Sequence, residues 1–200
     1  MAVIEAHEKH QELIDELIAD VSAYNPDVDR DLIARAFSFA ANAHEGQQRR
    51  SGEEFVLHPW GAAKICAQLQ LDDETIAAAL LHDVIEDTDT TREELAQKFS
   101  DRVASLVVEC TDDMSLPKPE RRRRQIVDAP KKTAGAKLIK IADKISNIGA
   151  RIHSDPSAEE RDDLADYTGW AEQVVAGCRG GNSWLDAKFD DAVSAARASL

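Results

Sequence analysis

Between Thr75 and Thr91 the chain reads TIAAALLHDVIEDTDTT, and this stretch limits the fold more than any other. Ile76, Ala77, Ala78, Ala79, Leu80, Leu81, Val84 and Ile85 surround a helix on nearly every side, which places it in an interior. The same helix carries His82, Asp83, Glu86 and Asp87. Unpaired charge is expensive to bury, so these groups must meet partners, a metal ion or a water-filled pocket. Residues four apart share a helical face, pairing His82 with Glu86 and Asp83 with Asp87. One turn can then offer an imidazole and a carboxylate to a cation, and the next can set two carboxylates beside that cation's water. The competing reading is a buried histidine with a salt-bridged acid pair; the apolar context and the second acidic pair favour the first.

Helical spacing extends over the rest of the chain, and period-2 alternation is missing. Leu13, Ile14, Leu17, Ile18 and Val21 form one stripe, ended by Asn25-Pro26. Asp29 can cap a helix carrying Leu32, Ile33, Ala36, Phe37 and Ala40, which gives out in the polar loop HEGQQRRSGEE. Pro59 suits the first residue of the next helix. Further helices are expected at 73–86, 91–99, 101–111, 120–127 and 134–148, then a long one opened by Pro156 and a last one over 182–198. The expectation is an all-α bundle, with room for a short β-hairpin near Phe55. Residues 1–28 form an N-terminal amphipathic helix and turn packed on a single domain spanning 29–200.

Composition removes several function classes. A 200-residue chain that is 43% hydrophobic and 31% charged is a globular protein with a core of its own. With 24 Lys+Arg against 38 Asp+Glu its net charge is −14, which disfavours nucleic acid; cations for an anionic substrate must be concentrated locally. No apolar stretch approaches the ~20 residues of a membrane span. The acidic, periodic N-terminus is neither a secretory signal nor a transit peptide. Cys66, Cys110 and Cys178 are scattered and read as buried thiols in a reducing cytoplasm.

Further ligands for a cation must come from elsewhere. His58, in LHPWG, stands at a loop-to-helix junction that can aim it inward; otherwise it is a surface histidine beside a helix-start proline. Asp143 interrupts KLIKIADKISNI, flanking the inward face of Leu138, Ile139, Ala142, Ile145 and Ile148. It is either a ligand or a salt-bridge partner of Lys140 or Lys144. Two imidazoles with two carboxylates suit Mn²⁺, Fe²⁺ or Zn²⁺ better than Ca²⁺.

AHEGQQRRSGEEFVLHP, AALLHDVIEDTDTT and KLIKIADKISNI, in this order, resemble the HD-type hydrolase domain of RelA/SpoT proteins. The likeness is greatest to the stand-alone small alarmone hydrolases, and it runs from about Ala34 to Asn182. It implies an all-α HD bundle holding one Mn²⁺ through His58, His82, Asp83 and Asp143. Glu86 and Asp87 fall on the family's ED pair, which acts on the attacking water and its protons. Arg49 and Arg50 fall where basic residues contact the guanine nucleotide. Asn147 matches a residue touching the sugar. Tyr167 matches an aromatic near the nucleobase or is a core tyrosine. Lys140, Lys144 and Arg151 are candidates for phosphate charge by their nearness to Asp143 in the sequence. The implied reaction is hydrolysis of the 3′-pyrophosphate of ppGpp or pppGpp by a cytoplasmic enzyme without nucleic-acid or membrane partners. No synthetase domain follows before Leu200, so a hydrolase-only polypeptide is expected. The alternatives are an NADPH 2′-phosphatase, another HD-type nucleotide phosphohydrolase, or an alarmone-binding sensor without catalysis.

Other signals are set aside. Arg121 to Arg124 point in four directions on a helix and read as a solvated face. His7 and His10 are taken as surface residues, and His153 as a turn residue without a role. Trp60, Trp170 and Trp184 read as core or packing residues, with Trp60 near enough to His58 to wall a pocket. RGGN, at 179–182, reads as a helix terminator.

Overall fold

The computed structural model of the protein describes residues 2–49, 52–152 and 156–200, with side chains from His10 onward. All regular structure among these residues is helical, and the chain forms two compact units, Met1–Val108 and Glu109–Leu200.

The first unit runs α1 (Ala2–Ser22), α2 (Arg30–Ala43), α3 (Leu57–Gln68), α4 (Asp73–Leu81), α5 (Val84–Asp87), α6 (Arg92–Lys98) and α7 (Asp101–Cys110), the last turn of α7 passing into the second unit. The helix starts follow side-chain caps: Asp29 accepts from Leu32 N, Asp72 from Thr75 N and Thr91 from Glu94 N. Helix α4 packs against both α2 and α3. Its alanines make this possible, since Ala77, Ala78 and Ala79 are all fully buried and let neighbouring backbones come close. Helix α1 lies on α2 and α3 through buried Leu17 and Val21. Polar ties fix it there. Trp60 Nε1 donates to Leu13 O at 3.0 Å, Lys64 pairs with Glu16 and Asp20, and His10 Nε2 meets Glu54 Oε2 at 2.7 Å. His10 is therefore engaged rather than a loose surface residue.

The second unit contains α8 (Lys118–Asp128), a 3-10 turn (Ala129–Lys131), α9 (Ala134–Gly149), α10 (Ala158–Ala176) and α11 (Ser183–Ala198). Helix α9 packs on α10 and α11, and α8 packs on α10. Gly177 ends α10 where only a hydrogen fits, because a Cβ there would sit 2.8 Å from Pro130 Cδ. The four arginines of α8 find partners: Arg122 at Asp166, Arg123 and Arg124 both at Glu120, and Arg121 at the Met114 sulfur.

The structure departs from the sequence reading in five places. The helix expected over 73–86 breaks into α4 and α5, with His82 and Asp83 at the break. The hairpin near Phe55 reduces to one antiparallel bridge, Gln48 with Glu54, without a strand. Helix α3 begins at Leu57, ahead of Pro59, so His58 is already helical. Helix α10 begins at Ala158 because Ser157 and Glu160 form a reciprocal capping box, which overrides Pro156 as the start. Trp184 is 45% exposed beneath the Lys188 ammonium rather than in the core.

Candidate active site

The first unit gathers its ionisable groups at the α4–α5 break. His82 Nδ1 donates to Ala79 O at 2.8 Å. A carbonyl can only accept, so Nδ1 carries the proton. That carbonyl is the one Asp83 N would use were the helical ladder to continue, and the helix breaks at this point. Asp83 then stands between two imidazoles: its Oδ1 is 3.2 Å from His82 Nε2 and its Oδ2 is 3.3 Å from His58 Nε2. The two rings are 5.1 Å apart at 70°, and His58 and His82 are 3% and 1% exposed. With Nδ1 protonated, His82 directs an Nε2 lone pair at a carboxylate oxygen. Two acceptors at that distance repel unless a proton or a cation lies between them, so the donor set fits a metal ion. A backbone carbonyl holding the far nitrogen of a ligand histidine is the usual support of such a site.

One turn further, Glu86 is half-buried and Asp87 is exposed. Asp87 N donates to Asp83 O at 2.9 Å, keeping the acid pair in fixed register with Asp83. Desolvation of its carboxyl and the nearby charge of Asp83 push the Asp87 pKa above its ordinary value, against the pull of His44, His82 and His58. Asp87 also borders a cleft of about 740 Å³ lined by Phe39, Asn42, Gln47, Thr88 and Glu94. Arg49, half-buried, follows Gln47 on a loop closed by Arg49 N to Glu53 O at 2.9 Å. Gly52, at φ +83°, makes the turn in that loop. Arg50 and His153 lie outside the described residues, as does the His7 side chain. Trp60 is spent on tying α1 to α3.

In the second unit, α9 and α10 assemble the other expected residues. Asp143 is 4% exposed and accepts from Lys144 Nζ at 2.8 Å and Asn147 Nδ2 at 2.5 Å. Of the two readings of Asp143, the pairing with a lysine is made, to Lys144. Asn147 passes the network on, its carbonyl accepting from Arg151 Nη1 at 2.8 Å. The Arg151 guanidinium carbon lies 3.8 Å from the centroid of the Tyr167 ring, while its Nε is 3.2 Å from Asp163. Tyr167 in turn meets Trp170 edge-on at 5.4 Å, and Lys144 Nζ is 4.5 Å from the Trp170 centroid. Asp143, Lys144, Asn147, Arg151 and Tyr167 thus form one connected cluster. Lys140 does not join it. It is buried, and its ammonium donates to Cys110 O at 2.7 Å. Lys140, expected to meet phosphate charge, here serves a helix-end carbonyl with its ammonium.

Sequence reasoning gave no role to His44, Trp170 as a cation partner, or Asp163. Only Asp163 left a trace, as an acid on the helix opposite Arg151. Ligand-type residues able to bind a metal ion are present and buried in both units, His58 and His82 in the first and Asp143 in the second.

Residues 36–169 match the HD domain, and the chain belongs to that family. Among relatives, the guanosine-3′,5′-bis(diphosphate) 3′-pyrophosphohydrolase MESH1 of Xenopus tropicalis is 41% identical over 166 residues, covering 81% of this chain and 93% of that protein. The Homo sapiens enzyme of the same name is 40% identical over 158 residues, covering 77% of this chain and 88% of its own. A solved structure of a metazoan ortholog of SpoT that hydrolyzes ppGpp matches with a TM-score of 0.74 and 36% identity, over 83% of this chain and 95% of that one.

Proposed function

We propose that this protein hydrolyses the 3′-pyrophosphate of ppGpp and pppGpp, releasing pyrophosphate and GDP or GTP. The observation that carries the reading is Asp83, faced on both oxygens by buried imidazole nitrogens and followed by an acidic pair, in a chain 41% identical to a ppGpp 3′-pyrophosphohydrolase. In this reading His58, His82, Asp83 and Asp143 hold one divalent cation, and a mixed nitrogen and oxygen set favours Mn²⁺ over Ca²⁺, with Fe²⁺ or Zn²⁺ as substitutes. When bound, the cation lowers the pKa of a coordinated water toward ~7 and polarises the phosphoryl oxygen under attack.

The chain's own residues do the rest. Glu86 orients the attacking water and takes its proton. Asp87 supplies a second carboxyl beside Glu86 that can pass a proton to the departing 3′-oxygen. Arg49, Arg50 and Arg151 meet phosphate charge, Arg forks being matched to phosphate oxygens. Asn147 meets the sugar and Tyr167 the base. Lys144 acts through Asp143, holding its carboxylate in place. Among the described residues no helix is long and apolar enough to cross a membrane.

The test is to incubate the Mn²⁺-loaded protein with ppGpp, pppGpp, NADPH, dGTP and a cyclic dinucleotide and identify the products. Pyrophosphate from the first two alone is expected. Phosphate from NADPH alone would move the assignment to a 2′-phosphatase, and ppGpp binding without turnover would make the protein a sensor.

A further inference from the structure

Helix α5 has four residues, too few to be stable alone, because one turn fixes many dihedrals for few hydrogen bonds. Its carbonyls have no helical partners beyond it. Two of them are satisfied from outside: Val84 O accepts from Thr88 Oγ1 at 2.5 Å, and Asp87 O accepts from Gln47 Nε2 at 3.2 Å. Gln47 is itself held, since its Oε1 lies 3.0 Å from His44 Nδ1. His44 caps the C-terminus of α2, is 3% exposed, and stacks on Phe55 with ring centroids 4.4 Å apart.

Chemistry sets the direction of this chain. A carbonyl only accepts, so Gln47 must turn its amide nitrogen to Asp87 and its oxygen to His44. His44 must then carry its proton on Nδ1. The remaining nitrogen agrees: Nε2 is buried and has no hydrogen-bond partner, which suits a bare lone pair better than an N–H. We propose that His44 is a positioning residue for the hydrolytic reaction, acting through Gln47 to clamp the turn that presents Glu86 and Asp87. This rests on the hydrolase reading for its effect on turnover, but the clamp itself is independent of it. Gln47 also ties the turn to the Arg49 loop, because its carbonyl accepts from Phe55 N at 3.2 Å. A shift in the clamp therefore moves the acid pair relative to the loop expected to touch substrate.

The two ring nitrogens can be tested separately. Asparagine at 44 places an N–H near the Nδ1 position, whereas glutamine places one near Nε2. His44→Ala and His44→Gln are expected to lower kcat for ppGpp roughly 10- to 100-fold, with bound Mn²⁺ unchanged by elemental analysis. His44→Asn should stay within about 3-fold of wild type, the Nδ1-type donor to Gln47 being retained. Gln47→Leu, at a half-buried position that tolerates change, should reproduce the His44→Ala loss, and the double variant should lose no more. Backbone amide exchange over 84–88 should speed up in His44→Ala and not in His44→Asn. That exchange result reads the clamp even if wild-type protein releases no pyrophosphate, which would instead overturn the hydrolase reading. Wild-type kcat in His44→Ala or Gln47→Leu, or equal loss in the alanine, asparagine and glutamine variants, would overturn the proposal.

Discussion

The α4–α5 break and helix α9 treat a carboxylate in opposite ways. At the break, Asp83 looks onto two imidazole nitrogens, one of which must be a lone pair because its ring proton is spent on Ala79 O. On α9, Asp143 is met by an ammonium and an amide that both donate. The first arrangement is completed by a cation or a proton. The second is met by donors of the chain itself, which continue through Asn147 and Arg151 to an aromatic face. The contrast separates a carboxylate facing imidazole nitrogens from one held by side-chain donors.

The largest expected effect breaks the first region. His82→Ala, or prolonged chelation of the wild-type protein, should strip the metal and lower pyrophosphate release by roughly 10³-fold or more, as loss of several kcal/mol of charge stabilisation requires. Asp143→Ala sharpens the comparison: metal loss by elemental analysis makes both regions one cage, whereas full metal retention confines the cage to the break. Glu86→Gln comes next. It should keep the metal and drop turnover by roughly 10²-fold, the contribution of a positioned proton acceptor. Near-wild-type turnover would remove Glu86 from the mechanism.

Lys144→Met probes the second region directly. It leaves Asp143 buried without its cationic partner, which should destabilise the metal-free protein by about 3 kcal/mol in urea unfolding. Saturating Mn²⁺ should recover part of that loss, because the metal replaces the missing positive charge. An equal loss with and without Mn²⁺ would show that the ion does not reach Asp143. Smaller still is Tyr167→Leu, which removes the ring under Arg151 and should raise KM for ppGpp about 5-fold while leaving kcat and metal content alone.

The sequence disclosed the first region better than the second, and the reason is energetic. Four ionisable residues inside an apolar helix are an anomaly that burial cost makes visible, so His82, Asp83, Glu86 and Asp87 stood out without neighbours. The helix break did not, because the apolar run of Leu80, Leu81, Val84 and Ile85 continues across it. Asp143 sat between two lysines with equal claims by spacing. Three dimensions divided them, sending Lys140 to Cys110 O and Lys144 to the carboxylate. The Gln47–Asp87 bond joins residues forty apart, and no local pattern announces it.

A third carboxylate offers a control on this contrast away from the site. Asp72 caps α4 and, like Asp143, is surrounded by donors: Thr75 N at 3.1 Å, Thr75 Oγ1 at 2.8 Å, and both Arg102 terminal nitrogens at 2.6 and 2.9 Å. Burial opposes its ionisation, but the hydrogen bonds from Arg102 and Thr75 outweigh burial and bring its pKa down to about 2 from 3.8. A carboxyl depressed by folding lends stability that is present above its unfolded pKa. That contribution is lost as pH falls from 3.8 through about 2. Asp72→Ala should cost about 1 kcal/mol near neutral pH, the ordinary worth of an N-cap, and its difference from wild type should shrink across that acid window. Urea titrations at several pH values measure both. A difference that stays constant down to pH ~2 would mean that the cap acts without its charge. Carboxylates ringed by donors would then be held by hydrogen-bond geometry rather than by their charge.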